Sequence, residues 1–405
     1  MKRRELGLIA FSGFLLMLGL SVLFPVLPHF SDKLGLDEFQ AGLLMSSYAL
    51  ASVVMAPFWG RFSERRGRKS ALLIGLAGFT ATFFLFALGE TFGWLLTTRA
   101  LGGLFAAAAM PSVMAYTADI SPPDKRSVTL GVVGAAIGIG TVIGAGVGGI
   151  LGDPDFFGEA SLRLPFFVAS AIGFLATLLV AGLLPESLTG EIIAAAQTRK
   201  SALERAGLGM RAISSGLLTF LSYSFLVQMG QTGLQALMGW LILHRFEGSA
   251  SSTSGFLFVM GMTGILIQGG AMRGLSRRFS DRSLLIVGTL CLVVGTFGVG
   301  VTGSWTGMLW LAALLGLGTG LQLPTFTAEL SRAAEQVQGE AQGLNASAQS
   351  LGRAVGPLVF TALYQISGPV AAFSIAAAVC AAGAGLAIGG LKSQLPVATV
   401  EQASA

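Results

Sequence analysis

The chain has 405 residues, 53% of them hydrophobic and 11% charged, with a formal net charge of +5. A soluble domain carries about 25% charged residues, so a chain this poor in charge cannot keep a water-exposed surface and is expected to be surrounded by lipid. The two cysteines, Cys291 and Cys380, lie inside apolar runs with no CxxC and no Cys/His spacing that would hold a metal, so neither a metal nor another cofactor is expected.

A helix needs roughly 20 apolar residues to cross a bilayer. In chain order, charge-free runs occupy 6–31, 39–60, 70–89, 127–152, 164–185, 212–244 and 248–272, and 91–118 is apolar apart from Arg99. The run 283–328 is too long for one span and divides at Gly303-Ser304; 341–391 contains only Arg353 and divides at Ser367-Gly368-Pro369. The pattern predicts an all-α membrane protein of twelve transmembrane helices. The first run follows Met1-Lys2-Arg3-Arg4, but it is too long for a signal-peptide core and reads as span 1. The 57 glycines fall largely within the apolar runs, where small residues let helices approach closely.

Charge placement predicts the orientation. With the N terminus cytoplasmic, 20 of the 25 Lys and Arg residues fall on the inner side, Lys33, Arg163 and Arg245 fall outside, and Arg99 and Arg353 lie within spans. Asp32, Asp37, Glu38, Asp153, Asp155, Glu159 and Glu247 fall outside. The basic excess therefore reads as a topology signal, not a nucleic-acid footprint. Both termini are expected in the cytoplasm of a cell whose inner membrane the chain crosses many times. The one long polar connection, 185–211, lies between spans 6 and 7; its Ala-rich stretch 191–206 suggests a short surface helix. This divides the chain into a six-helix bundle over 1–184, a linker over 185–211, and a second bundle over 212–405 with a short tail.

The two bundles repeat. Residues 63–75 (SERRGRKSALLIG) align without gaps to 276–288 (SRRFSDRSLLIVG) at an offset of 213, which Pro111 and Pro324 share. Gly140 and Gly144 match Gly352 and Gly356 at an offset of 212. Two six-helix halves related by an internal repeat are a transporter architecture.

The loop after span 2 reads Gly60-Arg61-Phe62-Ser63-Glu64-Arg65-Arg66-Gly67-Arg68-Lys69. It resembles the Gly-x-x-x-Asp-Arg-x-Gly-Arg-Lys signature of the major facilitator superfamily, with Glu64 where Asp is usual. The resemblance implies two bundles related by a pseudo-two-fold axis, transport by alternating access, and a loop that latches the halves in the outward-open state. Gly60, Glu64, Arg65, Gly67, Arg68 and Lys69 would form that gate, joined by Asp119 at the end of span 4 and Arg126 at the start of span 5; a plain basic inner loop is the alternative. Arg99, in Leu96-Thr97-Thr98-Arg99, resembles the family's span-4 arginine, which is linked to proton coupling or substrate anions; a structural arginine bonded to carbonyls is the alternative. Gly140, Gly144, Gly148 and Gly149 in span 5 resemble the glycine motif of the family's efflux antiporters, with Ala145 in place of its proline, whereas Gly356-Pro357 in the second half retains one. Packing without directional meaning would account for the same glycines. Gln338 to Asn345 resembles the second-half counterpart of this region, with Glu340 suited to a helix N-terminus.

Polar stripes mark the second half. Gln228, Gln231 and Gln235 share one face of span 7; Asn345, Gln349 and Arg353 share one face of span 11. Gln268 and Gln322 could join them. Spans 1, 4, 7 and 10 line the cavity in this family, so these residues and Arg99 are the candidate substrate cavity; hydrogen-bonded glue between helices is the alternative. His29 and His244 end the first span of each half and read as interfacial histidines, with pH sensing conceivable. No Asp or Glu lies mid-span.

The resemblance is to the twelve-helix drug:proton antiporter branch, implying proton-coupled efflux of amphiphilic compounds. The alternative is a carrier or flippase for sugars or lipid-linked glycans, possibly uncoupled, which the glutamine stripes and missing acids favour. Enzymatic lipid chemistry has no His/Asp/Cys constellation at membrane depth, and ATP drive has no GxxxxGK[ST] motif. The expected partners are a small-molecule substrate, protons in the coupled case, and the bilayer, around a monomer.

Overall fold

The structure is a computed structural model that describes residues 3–122, 125–188, 215–334 and 338–390. Among these residues the chain is helical and forms twelve spans. Spans 1 to 6 are Arg4–Lys33, Glu38–Arg66, Arg68–Ala87, Phe92–Asp119, Val128–Leu151 and Leu164–Leu183. Span 7 is Ser215–Phe246, span 8 Ala250–Arg278, span 9 Asp281–Val301 and span 10 Trp305–Ala333. Spans 11 and 12 are one helical run, Gln338–Gly390, broken at Gly368, whose φ of 79° ends a right-handed helix. The expected division at Gly303-Ser304 falls between spans 9 and 10. The surface helix expected over 191–206, most of the linker and the tail beyond residue 390 lie outside the described residues, as does the Glu340 side chain.

Local chemistry explains where helices start and bend. Asp37 accepts a hydrogen bond from the Gln40 backbone at 2.7 Å while the Gln40 side chain accepts from Asp37 N–H at 3.0 Å, a reciprocal cap that opens span 2. Span 1 breaks between Ser21 and Leu23; Pro25 follows, and its missing N–H leaves the Ser21 carbonyl without its helical donor. Pro111 and Pro324, the repeat-related pair, both sit inside helices.

Each half has its own core. Phe79, Phe83, Phe86, Phe166 and Tyr116 anchor the first; Tyr223, Phe326, Trp240, Phe360 and Phe373 anchor the second. The outward surface carries exposed apolar residues such as Val54, Phe174, Trp310 and Ile366, as contact with acyl chains requires. The repeat is physical as well as textual. A Cβ on Gly140 or Gly144 would strike the span-1 carbonyls of Phe14 and Leu18; on Gly352 or Gly356 it would strike the span-7 carbonyls of Phe225 and Met229. Similarly, Gly75 faces the Ala109 backbone nitrogen and Gly288 that of Gln322, both pairs related by 213 residues.

The halves meet at one end. Opposite the basic loops, Gly42 of span 2 packs on Thr361 and the Pro357 carbonyl of span 11, Gly149 of span 5 packs on Ser254 of span 8, and Gly239 of span 7 packs on Pro28 of span 1. Toward the basic loops, Gly60 in span 2, Gly131, Gly134 and Gly138 in span 5, Gly269, Gly270 and Gly274 in span 8 and Gly343 in span 11 all face open space within 4 Å of where a Cβ would stand. The molecule is closed on one face and parted on the other, basic face.

Candidate functional site

The second half holds a cavity of about 300 Å³. Span 7 supplies Ser224, Val227, Gln228 and Gln231; span 10 supplies Thr319, Gln322 and Leu323. Gln268 of span 8 and Gln349 and Arg353 of span 11 complete the lining. At 1.5 Å rise per residue, these positions lie about 14–24 Å below the basic ends of their helices, near the middle of a bilayer. Gln268 falls in a π-helical segment, Ile267–Ala271, where a widened turn shifts the helical register.

Helical spacing explains the convergence. Gln228 and Gln231 are one turn apart, Gln349 and Arg353 likewise, and Gly352 and Gly356 bring span 11 against the span-7 backbone so that both polar stripes face the same space. Asn345, expected in the lining, stands behind it: it is buried and accepts a hydrogen bond from Ser224. Gln235 lies one turn further from the basic face, outside the lining. Ser224, Val227, Thr319 and Leu323 were not singled out from sequence; small hydroxyls and aliphatics at helical spacing carry no signal of their own.

Arg99 does not line this cavity. It is 6% exposed, packed within the first half, with its guanidinium carbon 4.3 Å from the Tyr48 ring centroid and about as near Phe86 (5.9 Å) as Phe83 (6.0 Å). Its Nε–H donates to the Leu44 carbonyl at 3.4 Å. Aromatic faces thus hold the cation where water is excluded. In the repeat, Tyr48 and Arg99 correspond to Gly261 and Ala312, so the second half has no such pair.

The signature loop is a dense polar joint within the first half. Gly67, at φ 109°, closes span 2 and opens span 3. Arg68 donates through Nε to Asp119 at 3.2 Å and through a terminal nitrogen to Ser63 Oγ at 3.2 Å. The carboxylate of Glu186, just past span 6, accepts the backbone N–H groups of Arg68 (2.8 Å) and Lys69 (3.1 Å), capping span 3 in trans. Lys69 Nζ donates to the Ala181 carbonyl at 2.9 Å, and Asp119 also accepts from Ser187 Oγ at 3.1 Å. Glu186 was missed from sequence, because its partners lie more than a hundred residues away. Glu64, Arg65 and Arg126 are exposed on the parted face, and Gly60 has no neighbour where its Cβ would stand.

The opposite face is sealed by polar contacts between halves. Asp153, at the end of span 5, accepts from Ser249 Oγ at 2.7 Å and from its own local backbone at Asp155. Burial raises the Asp153 pKa, but hydrogen bonds from Ser251, Ser249 and the Asp155 backbone and the nearby His29 outweigh it and hold the carboxyl below its ordinary range. Ser254 Oγ donates to the Ala145 carbonyl at 2.9 Å, His29 Nε2 lies 3.0 Å from the Gly248 carbonyl, and His244 Nδ1 lies 3.8 Å from Glu38 and 3.5 Å from Tyr364 Oη.

Two pseudo-symmetric bundles, packed together on one face and parted on the other, with a mid-membrane polar cavity in the second bundle, define a membrane carrier rather than an enzyme. The chain matches the family model described as Major Facilitator Superfamily over residues 9–335 and 221–400 and belongs to that family. It is 28% identical to quinolone resistance protein NorA of Staphylococcus aureus (strain MSSA476) over 373 residues, 90% of each chain. It is 30% identical to multidrug resistance protein 1 of Bacillus subtilis (strain 168) over 353 residues, 87% of this chain and 88% of that one. A crystallised bacterial homologue of the human lysosomal transporter Spinster shares the fold at TM-score 0.74 and 16% identity, covering 95% of this chain and 94% of that one.

Proposed function

We propose that this transporter exports amphiphilic small molecules by alternating access, with the basic face in the cytoplasm and the described conformation open to it. The carrying observation is the parting of the molecule toward the basic face, while spans 1 with 7, 2 with 11 and 5 with 8 are packed at the other end, together with a polar cavity near mid-membrane in the second half. The positive-inside rule supports this orientation, and the names of the two curated relatives support drug efflux as the activity. The boundaries follow: a first bundle over 1–184, a linker over 185–211 and a second bundle over 212–405, acting as a monomer. The latch would be the signature loop. Glu64 stands exposed with spans 2 and 11 parted, as an outward-open latch would be when released.

Protons are the proposed coupling ion. Because the cavity lining contains no carboxylate among the described residues, coupling would run through peripheral groups such as Asp119, Glu38 or His244. A glutamine-lined uncoupled carrier for hydroxylated ligands is the second reading, supported by the same absence. Inverted membrane vesicles containing the protein are expected to accumulate a quinolone when the lumen is made acidic and to lose it on addition of a protonophore. Flux indifferent to the gradient would favour the uncoupled reading, and absence of flux for any amphiphile would overturn efflux.

A further inference from the structure

Among the described residues, the cavity lining contains one ionisable side chain, and it is a cation. Among the lining residues, Arg353 stands with glutamines, hydroxyls and aliphatics and no Asp, Glu or His. Its hydrogen bond within the protein runs from a terminal nitrogen to Ser350 Oγ at 3.0 Å, on its own helix, and no carboxylate among the described residues pairs with it. On span 7, which packs against the helix of Arg353, the amide nitrogen of Gln231 is enclosed without an acceptor. A buried amide donor without a partner is unusual, and the Gln231 side chain is part of the cavity lining.

We propose that this cavity selects amphiphiles with an anionic head group, a carboxylate or sulfonate, which pairs with Arg353 and accepts from the glutamine amides, Gln231 foremost. The inference rests on the reading of this cavity as the exporter's substrate site and gives that site a substrate class. Three ligand types can be weighed. A cation would bring a second positive charge beside Arg353 with only amide carbonyls to compensate, in a site that loses water as the halves close. A neutral polyol would bond the amides but leave the guanidinium stripped of water and unpaired on closure, which is costly. An anion satisfies both: the planar guanidinium matches a carboxylate in two parallel hydrogen bonds, and the amide N–H groups supply donors. Val227 and Leu323 supply apolar walls, and about 300 Å³ accommodates a head group with a small aromatic body.

The test uses three probes with one aromatic body: 1-naphthaleneacetate, its methyl ester and (1-naphthylmethyl)trimethylammonium. Binding to the full-length protein in nanodiscs is measured by titration calorimetry, and transport is measured in proteoliposomes. The carboxylate is expected to bind roughly tenfold to a hundredfold more tightly than the ester, with the ammonium weakest. Arg353→Gln is expected to abolish that preference, weakening the carboxylate much more than the ester, and Arg353→Lys to retain part of it. Gln231→Leu should weaken the carboxylate more than the ester. Ammonium binding equal to the carboxylate, or a preference that survives Arg353→Gln, would overturn the proposal while leaving the exporter reading intact, provided the ammonium is transported. Loss of carboxylate and ester binding together in Arg353→Gln would make Arg353 structural and also overturn it. If none of the three probes binds or moves, both the head-group proposal and the assignment of this cavity as the substrate site fall.

Discussion

Single side chains divide between those that hold a charge and those that hold a face closed. Arg99 is a buried guanidinium whose nearest compensation is the Tyr48 ring and the Leu44 carbonyl. A desolvated cation–π contact contributes up to about 2 kcal/mol, so Tyr48→Leu is expected to lower the thermal unfolding midpoint in detergent measurably. Tyr48→Phe, which keeps the ring, should stay close to the parent; equal losses in the two variants would dismiss the ring as Arg99's support. Asp153 carries a prediction about pH. Its folded-state pKa lies below the ordinary carboxylate value, so its contribution is fully present above about pH 4 and is lost as pH falls through the depressed value. The Asp153–Ser249 contact between halves should therefore survive at neutral and mildly acidic pH. Probe access to the sealed face should rise only in stronger acid, and Asp153→Asn should show that rise already at neutral pH. Sequence marked Arg99 by its cost in a span, but nothing about position 48 announced a ring waiting for it.

At the scale of helices, the repeat is maintained by backbone contact. Spans 1 and 5 touch through Gly140, Gly144 and Gly148, each of which would drive a Cβ into a span-1 carbonyl, and spans 7 and 11 reproduce the contact at Gly352 and Gly356. Backbone cannot yield as a flexible side chain can, and overpacking of this kind costs about 1–3 kcal/mol. Gly144→Leu and its repeat partner Gly356→Leu are both expected to reduce folded yield and unfolding midpoint, with Gly131→Leu, which faces open space, as the tolerant control. Comparable loss at Gly131 would break the argument. The spacing of these glycines was legible because small residues at helical intervals within apolar runs have few other uses. Which span each glycine meets was not, because spacing alone carries no partner. The π segment at Gln268 was likewise invisible, since a widened turn leaves no residue pattern of its own.

For the whole molecule, closure at one face and separation at the other set the state in which substrate would enter from the basic side. Joining the packed ends should therefore stop the cycle. With Cys291 and Cys380 replaced, Gly42→Cys combined with Thr361→Cys places two Cβ positions about 3.0 Å apart across the halves, close to disulfide range. Oxidation is expected to abolish transport and reduction to restore it; undiminished flux in the oxidised protein would mean that the two faces do not alternate. Composition and charge by themselves determined the class, because lipid tolerates few charges and leaves helices as the natural way to satisfy the backbone, and the repeat with its signature loop determined the two-bundle plan. Six of the nine residues proposed for a substrate cavity share one polar pocket in the second half, because a one-sided polar stripe on an apolar helix has to face something other than lipid. Only the tertiary structure decided that Arg99 is held by aromatic rings away from the cavity, that Glu186 caps span 3 from the end of span 6, and that Arg353 stands in the cavity without a counter-charge among the described residues. Each of these depends on which side chains from distant helices share a volume, and that is a property of packing in three dimensions rather than of order along the chain.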